Sequence, residues 1–207
     1  MAILARPSTE PRQPAPAGKY FGICVGVFDI GTQECTMFGP KHQVVLMFEL
    51  HKLRGVARDA AGLPQLIAVL SNLSFNSQSH LRTNVEQILG RTFNETEAQV
   101  GFDVTTLIEI QCRLVVIHQI RANGSARERI EQFLPMDPDD PRLQPVTPPL
   151  VYELDPSQPL PVNLPPWVQR KAMESREWRT CHGSPFQQAP PGMPRNGNMN
   201  MNMNGPT

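Results

Sequence analysis

Three arginines crowd one turn. Arg121 precedes Asn123-Gly124, and Arg127 and Arg129 follow it. Asn-Gly favours a tight hairpin whose positive φ angles match strand twist, so all three guanidinium groups belong near one hairpin tip. They could line one wall of an anion-binding groove, although a solvated tip carries such charges as readily. Phe38 and Lys41 sit together in a second loop, Gly31 to Lys41. Lys41 could meet a phosphate. Phe38 could stack on a base or plug the end of a β-structure. Tyr20 shares a strand face with glycines, where a flat ligand could approach, or it is a half-buried edge residue. Arg113 alternates with Val115 and Ile117 and could reach a phosphate or pair with Glu49 or Glu109. Lys52, near the end of another strand, is a further candidate cation.

Enzyme signatures are missing from the sequence. It holds no G-x-x-x-x-G-K-[ST] phosphate loop, no G-x-S-x-G elbow and no H-E-x-x-H pair. Asp137, Asp139 and Asp140 alternate with Pro138 and Pro141, which reads as a solvated linker rather than a cation loop. His118 reads as a satisfied strand histidine. The 4 cysteines form no C-x-x-C pair, so they are expected to be reduced, with Cys24 and Cys112 as small apolar residues in strands. No metal or cofactor is expected. Lys plus Arg is 19 and Asp plus Glu is 19, so net charge steers the chain toward neither nucleic acid nor membrane. No apolar run reaches transmembrane length, and the apolar start Met-Ala-Ile-Leu-Ala is too short for a secretory signal.

The candidates must be held by folded chain, and proline shows where that lies. Of 22 prolines, Pro40 and Pro64 alone fall between Gly18 and Leu134. Proline removes a backbone donor and breaks helices and central strands. Residues 18–134 are therefore expected to be the domain, after a flexible arm at 1–17. A proline-rich linker follows at 135–166, then a short helix at 167–179 and a disordered tail at 180–207.

Within the domain, Phe21, Ile23, Val25 and Val27 alternate with Tyr20, Gly22, Cys24 and Gly26, a first strand that the glycines bend or open to a neighbour. His42 to Leu53 is a second strand. Its Val44, Leu46, Phe48 and Leu50 form the core face; Gln43, Val45, Met47, Glu49 and His51 form the other. A third strand, Gln65 to Phe75, precedes a helix that Ser77 or Ser79 can cap, with Leu81, Val85, Ile88 and Leu89 on its apolar face and Gly90 at its stop. Residues 91–108 read as irregular, anchored by Phe93, Phe102 and Leu107. Glu109 to Ile120 and Ala126 to Leu134 are the fourth and fifth strands.

Five strands with a helix between the third and fourth is the order of the OB-fold, a small Greek-key barrel that binds oligonucleotides or oligosaccharides. A small sandwich with a helical insert fits less well. The fold class expected is thus mostly β: a five-stranded OB barrel with a disordered proline-rich C-terminal tail.

The residues also resemble a known family, the OB-fold single-stranded-DNA-binding proteins of tailed bacteriophages. The matching pieces are Tyr20-Phe21-Gly22, Phe38-Gly39-Pro40-Lys41-His42, Leu73-Ser74-Phe75 before the Leu81-Arg82 helix, Gly90-Arg91-Thr92-Phe93, Phe102-Asp103, and Pro165-Pro166-Trp167-Val168 running to Glu177-Trp178. The resemblance implies non-catalytic, sequence-independent binding of single strands during phage DNA replication or recombination, in the cytoplasm of the bacterial host. It implies single-stranded DNA as partner, with replication or recombination proteins reached through the C-terminal region. The contacts would be Tyr20, Phe38, Lys41, Lys52, Arg113, Arg121, Arg127 and Arg129. The neutral domain, with equal numbers of acidic and basic residues, and the few aromatics depart from a basic, stacking groove. The alternatives are a phage structural or interaction protein whose OB-like barrel binds another protein, and, last, an accessory nuclease.

Overall fold

The computed structural model describes residues 14–35, 39–53, 55–121, 124 and 126–183. The chain is mostly β. Its strands are β1 (Gly18–Gln33), β2 (Lys41–Lys52), β3 (Gly55–Val56), β4 (Leu66–Asn72), β5 (Gln111–Ile120), β6 (Ala126–Pro135) and β7 (Leu150–Tyr152). The helices are α1 (His80–Leu89), α2 (Glu95–Val100), α3 (Pro166–Met173) and α4 (Arg176–His182), with a 3-10 turn at Val104–Leu107. The strands form one open sheet in the order β3-β2-β1-β5-β6, with β4 also on β2 and β7 also on β1. All pairings are antiparallel except that of β7 with β1.

Long β1 organises the sheet. It pairs with β2 from Phe21 to Gln33, with β5 from Gly18 to Ile23 and with β7 from Gly26 to Phe28. Its register against β2 shifts between Cys24 and Gly26, the kind of irregularity that bends a strand. A Cβ at Gly26 would lie 2.4 Å from the Phe28 ring and 3.1 Å from Met47 Cβ, so this position excludes a side chain. Helix α1 begins and ends as its sequence predicts. The Ser79 hydroxyl accepts from the Arg82 amide, and Gly90 takes a left-handed φ of 65°. Residues 91–108 are more regular than expected. Asn94 and Glu97 close a capping box over α2, and Asp103 caps the 3-10 turn.

Two apolar clusters lie on opposite faces of β1 and β2. One holds Leu46, Phe48, Leu50, Leu81, Val85 and Phe133, the expected core beneath α1. The other was not foreseen. Ile23, Val25, Val45 and Met47 pack against Leu143, Leu164 and Val168. The face of β2 expected to be outward is therefore buried, Glu49 and His51 included. Residues 135–166, expected as a linker, run across it. Prolines do not prevent this, because an extended segment can hand its remaining amides to side chains of the sheet. Gln111 and Leu143 exchange two such bonds, both 3.0 Å, and Glu49 accepts from the amides of Val146 (3.0 Å) and Thr147 (2.6 Å).

Three more expectations change. The single helix at 167–179 is two, because Ser175, fully buried, breaks the run and caps α4 by accepting from the Trp178 amide. The arm at 1–17 is docked over its last residues. Ala15 is buried, its amide bonded to the Glu128 carboxylate and its carbonyl 2.7 Å from His118 Nε2. The tail expected to be disordered from 180 retains helix through His182, and its remainder beyond Gly183 lies outside the described residues. No described helix is long and apolar enough to cross a membrane.

Candidate nucleic-acid interface

The β5–β6 hairpin sets out the cations by alternation. Arg127, Arg129 and Glu131 project to the exposed side of β6, while Ile130 and Phe133 are buried. At the turn, the Gly124 amide bonds the Arg121 carbonyl at 2.9 Å, and Gly124 takes φ 77°. Asn123 lies outside the described residues. A broad groove runs over the outer edge of β4, from Trp167 and Met47 on one side to α1 and β6 on the other. Lys41, Arg121, Arg127 and Arg129 all line it. The start of β2 and the β5–β6 hairpin, far apart in sequence, thus bring four predicted site residues to one concavity. Among its described lining residues these four face two carboxylates, Glu128 and Glu131. The Glu128 carboxylate also accepts the Ala15 amide.

The other predicted residues are elsewhere. Tyr20 is 4% exposed and donates its hydroxyl to the Pro16 carbonyl (2.9 Å), so its ring is closed to a stacking base. Burial first, and then the Glu128 charge, push its phenol above the ordinary value. Lys52 is exposed and stands over that ring, 5.7 Å from its centroid. It borders a separate hollow beside Arg58 and Asp59. Arg113 pairs with neither Glu49 nor Glu109. Its guanidinium donates to the Pro135 carbonyl (3.0 Å) and to both carboxylate oxygens of Asp137, with Asp140 at 3.6 Å. Asp137 and Asp140, read as part of a solvated linker, therefore tie the chain after β6 back to the sheet. Phe38 lies outside the described residues.

Sequence reasoning missed the polar floor of the groove. Thr83, Asn84 and Gln87 of α1 line it, as do Ser71 and Asn72 of β4. The helical contribution had a signal, since 83 and 87 turn away from the stripe of Leu81, Val85 and Ile88, and 84 borders it. The β4 contribution had none, because only the neighbours of β4 reveal which of its edges is free. Asn72 accepts from the Gln43 amide (3.2 Å), and Gln87 accepts from the Phe133 amide (3.2 Å). Trp167, half-buried against the second cluster, also reaches the groove.

Among the described residues no cluster of three or more His, Cys, Asp or Glu could hold a metal ion. Burial pushes the Cys24 thiol up to about 12 and raises that of Cys112 further, so both are poor nucleophiles. What the groove can do is bind an extended anion along cations and hydrogen-bond it from hydroxyls and amides. Compared with protein-family models and with curated proteins, the sequence matches none.

Proposed function

We propose that the chain is a non-catalytic binder of single-stranded DNA built on an OB-type barrel, acting in phage DNA replication or recombination within the bacterial host. The observation that carries this is the convergence of Lys41, at the start of β2, with Arg121, Arg127 and Arg129 of the β5–β6 hairpin on one groove. In an OB-fold the loops joining the first two and the last two strands are the groove walls. Strand order supports the barrel. β1 lies between β2 and β5, β4 pairs with β2, β6 pairs with β5, and β4 lies beside β6 with α1 following β4. Over β2, the usual OB binding face is occupied in cis by residues 143–168, while over β4 only Leu66 packs against that cover. The strand is therefore assigned to the hairpin side.

Fluorescence anisotropy with labelled oligo(dT) and a duplex of equal length tests the reading. Micromolar binding of the single strand alone is expected, and no binding at low salt would overturn it. A second reading, a barrel that binds another protein, draws on Leu70 (50%) of β4 and Leu73 (42%) just after it, both exposed. In that case a partner protein, and no oligonucleotide, would compete for the groove.

A further inference from the structure

We infer that the seam between β4 and β6 takes nucleobases by their hydrogen-bonding edges, while the phosphates follow the hairpin cations. The inference rests on the nucleic-acid reading and deepens it.

β4 and β6 are neighbours whose facing edges share no ladder: among the described residues β4 pairs with β2, and β6 with β5. Each is antiparallel to a strand that is itself antiparallel to β1, so both run in the direction of β1. A strand edge of this kind presents amide donors and carbonyl acceptors in turn, and on β6 the Phe133 amide is already taken by Gln87. A nucleobase also carries donors and acceptors along its pairing edge. In a duplex that edge is occupied by the partner base, and in a single strand it is free.

One side chain of β4 points the same way. Ser71 is 4% exposed and lines the groove, and its hydroxyl has no hydrogen-bond partner. A buried hydroxyl without a partner is costly and calls for an explanation. A hydroxyl both donates and accepts, so a base edge entering the seam would satisfy it whichever group it offers. The amides of Asn84 and Gln87 border the same space. Arg127 and Arg129 stand on the exposed side of β6, placed to hold the backbone at the rim. Stacking surface is scarce by comparison: Trp167 is half-buried in the second cluster, and Phe133 is buried. Selection of single strands would then come from pairing edges more than from ring faces.

The test uses the full chain and three oligonucleotides of one length: oligo(dT), the same strand with N3-methylthymine, and an abasic strand. N3-methylation keeps the ring face and blocks the pairing edge. Oligo(dT) should bind about tenfold more tightly than either of the others. Ser71→Ala should weaken oligo(dT) about fivefold, leave the abasic strand unchanged, and leave the melting temperature equal or raised. Equal binding of thymine and N3-methylthymine strands would overturn the seam while leaving the nucleic-acid reading standing. A lower melting temperature with unchanged binding in Ser71→Ala would also overturn it, since the hydroxyl would then serve the fold. Failure to bind any strand would remove both.

Discussion

The face of β2 covered by residues 143–168 and the outer edge of β4 are a few residues apart across one ladder, yet they treat polar groups in opposite ways. On the covered face the buried polar atoms are paired. Glu49, fully buried, accepts from two amides of the crossing chain and from His51 at 2.8 Å. Gln111 exchanges two bonds with Leu143. Thr32 donates its amide and hydroxyl to Glu177 of α4, at 2.8 and 2.6 Å. On the β4 side an edge and a buried hydroxyl are left over, and cations line the rim. Complete pairing marks a surface whose partner is already present in the chain. On the proposed function, the incomplete pairing beside the hairpin cations is where a partner from outside would dock.

Experiments of decreasing expected effect would break or sharpen this contrast. Ending the chain after Leu134 has the largest expected effect. It strips Leu143, Leu164 and Val168 from Ile23, Val25, Val45 and Met47, so the product should aggregate or bind a hydrophobic dye without a cooperative melt. A sharp transition like that of the full chain would show the covering segment to be dispensable. Glu49→Ala comes next. It leaves His51 and two amides unpaired in a buried site, a loss of about 3–5 kcal/mol by urea denaturation.

The same residue has a pH signature. Burial pushes the Glu49 carboxyl up, but the bonds from Thr147, Val146 and His51 outweigh that and hold it below the ordinary glutamate value. A depressed folded-state value means stability that is present in full above the unfolded value and lost as pH falls through the folded one. Glu49→Gln should therefore be less stable than wild type at neutral pH, with the gap narrowing in acid. A gap independent of pH would point to packing alone.

Arg127→Ala with Arg129→Ala tests the open side. On the proposed function, two lost phosphate contacts should reduce the slope of log affinity against log salt by about 1.4, with the melting temperature little changed. Arg113→Ala should do the reverse, lowering stability and sparing affinity, because its partners are Pro135 and Asp137. Lys52→Ala has the smallest effect, less than about twofold in affinity. It stands over Tyr20, outside the groove.

The sequence by itself determined what depends on near neighbours. Alternation placed β1, β2, β5 and β6 within a few residues of their ends, and Ser79 and Gly90 bounded α1, because pleat, cap and left-handed stop are local chemistry. It also brought Lys41 and the three hairpin arginines forward as candidates. Tertiary structure alone decided which surfaces stay open. Val45 and Met47 alternate as an outward row would, and a segment about a hundred residues later buries them. Arg113 was open to a phosphate, Glu49 or Glu109, and the chain after β6 turns back to give it Asp137 instead. β7 has three residues, and its parallel pairing with β1 carries no local signal. Ser71 is an ordinary strand serine until β4 is seen, among the described residues, to share a ladder with β2 alone. A residue's pattern shows which way it faces; what it meets there is set by parts of the chain that only folding brings near.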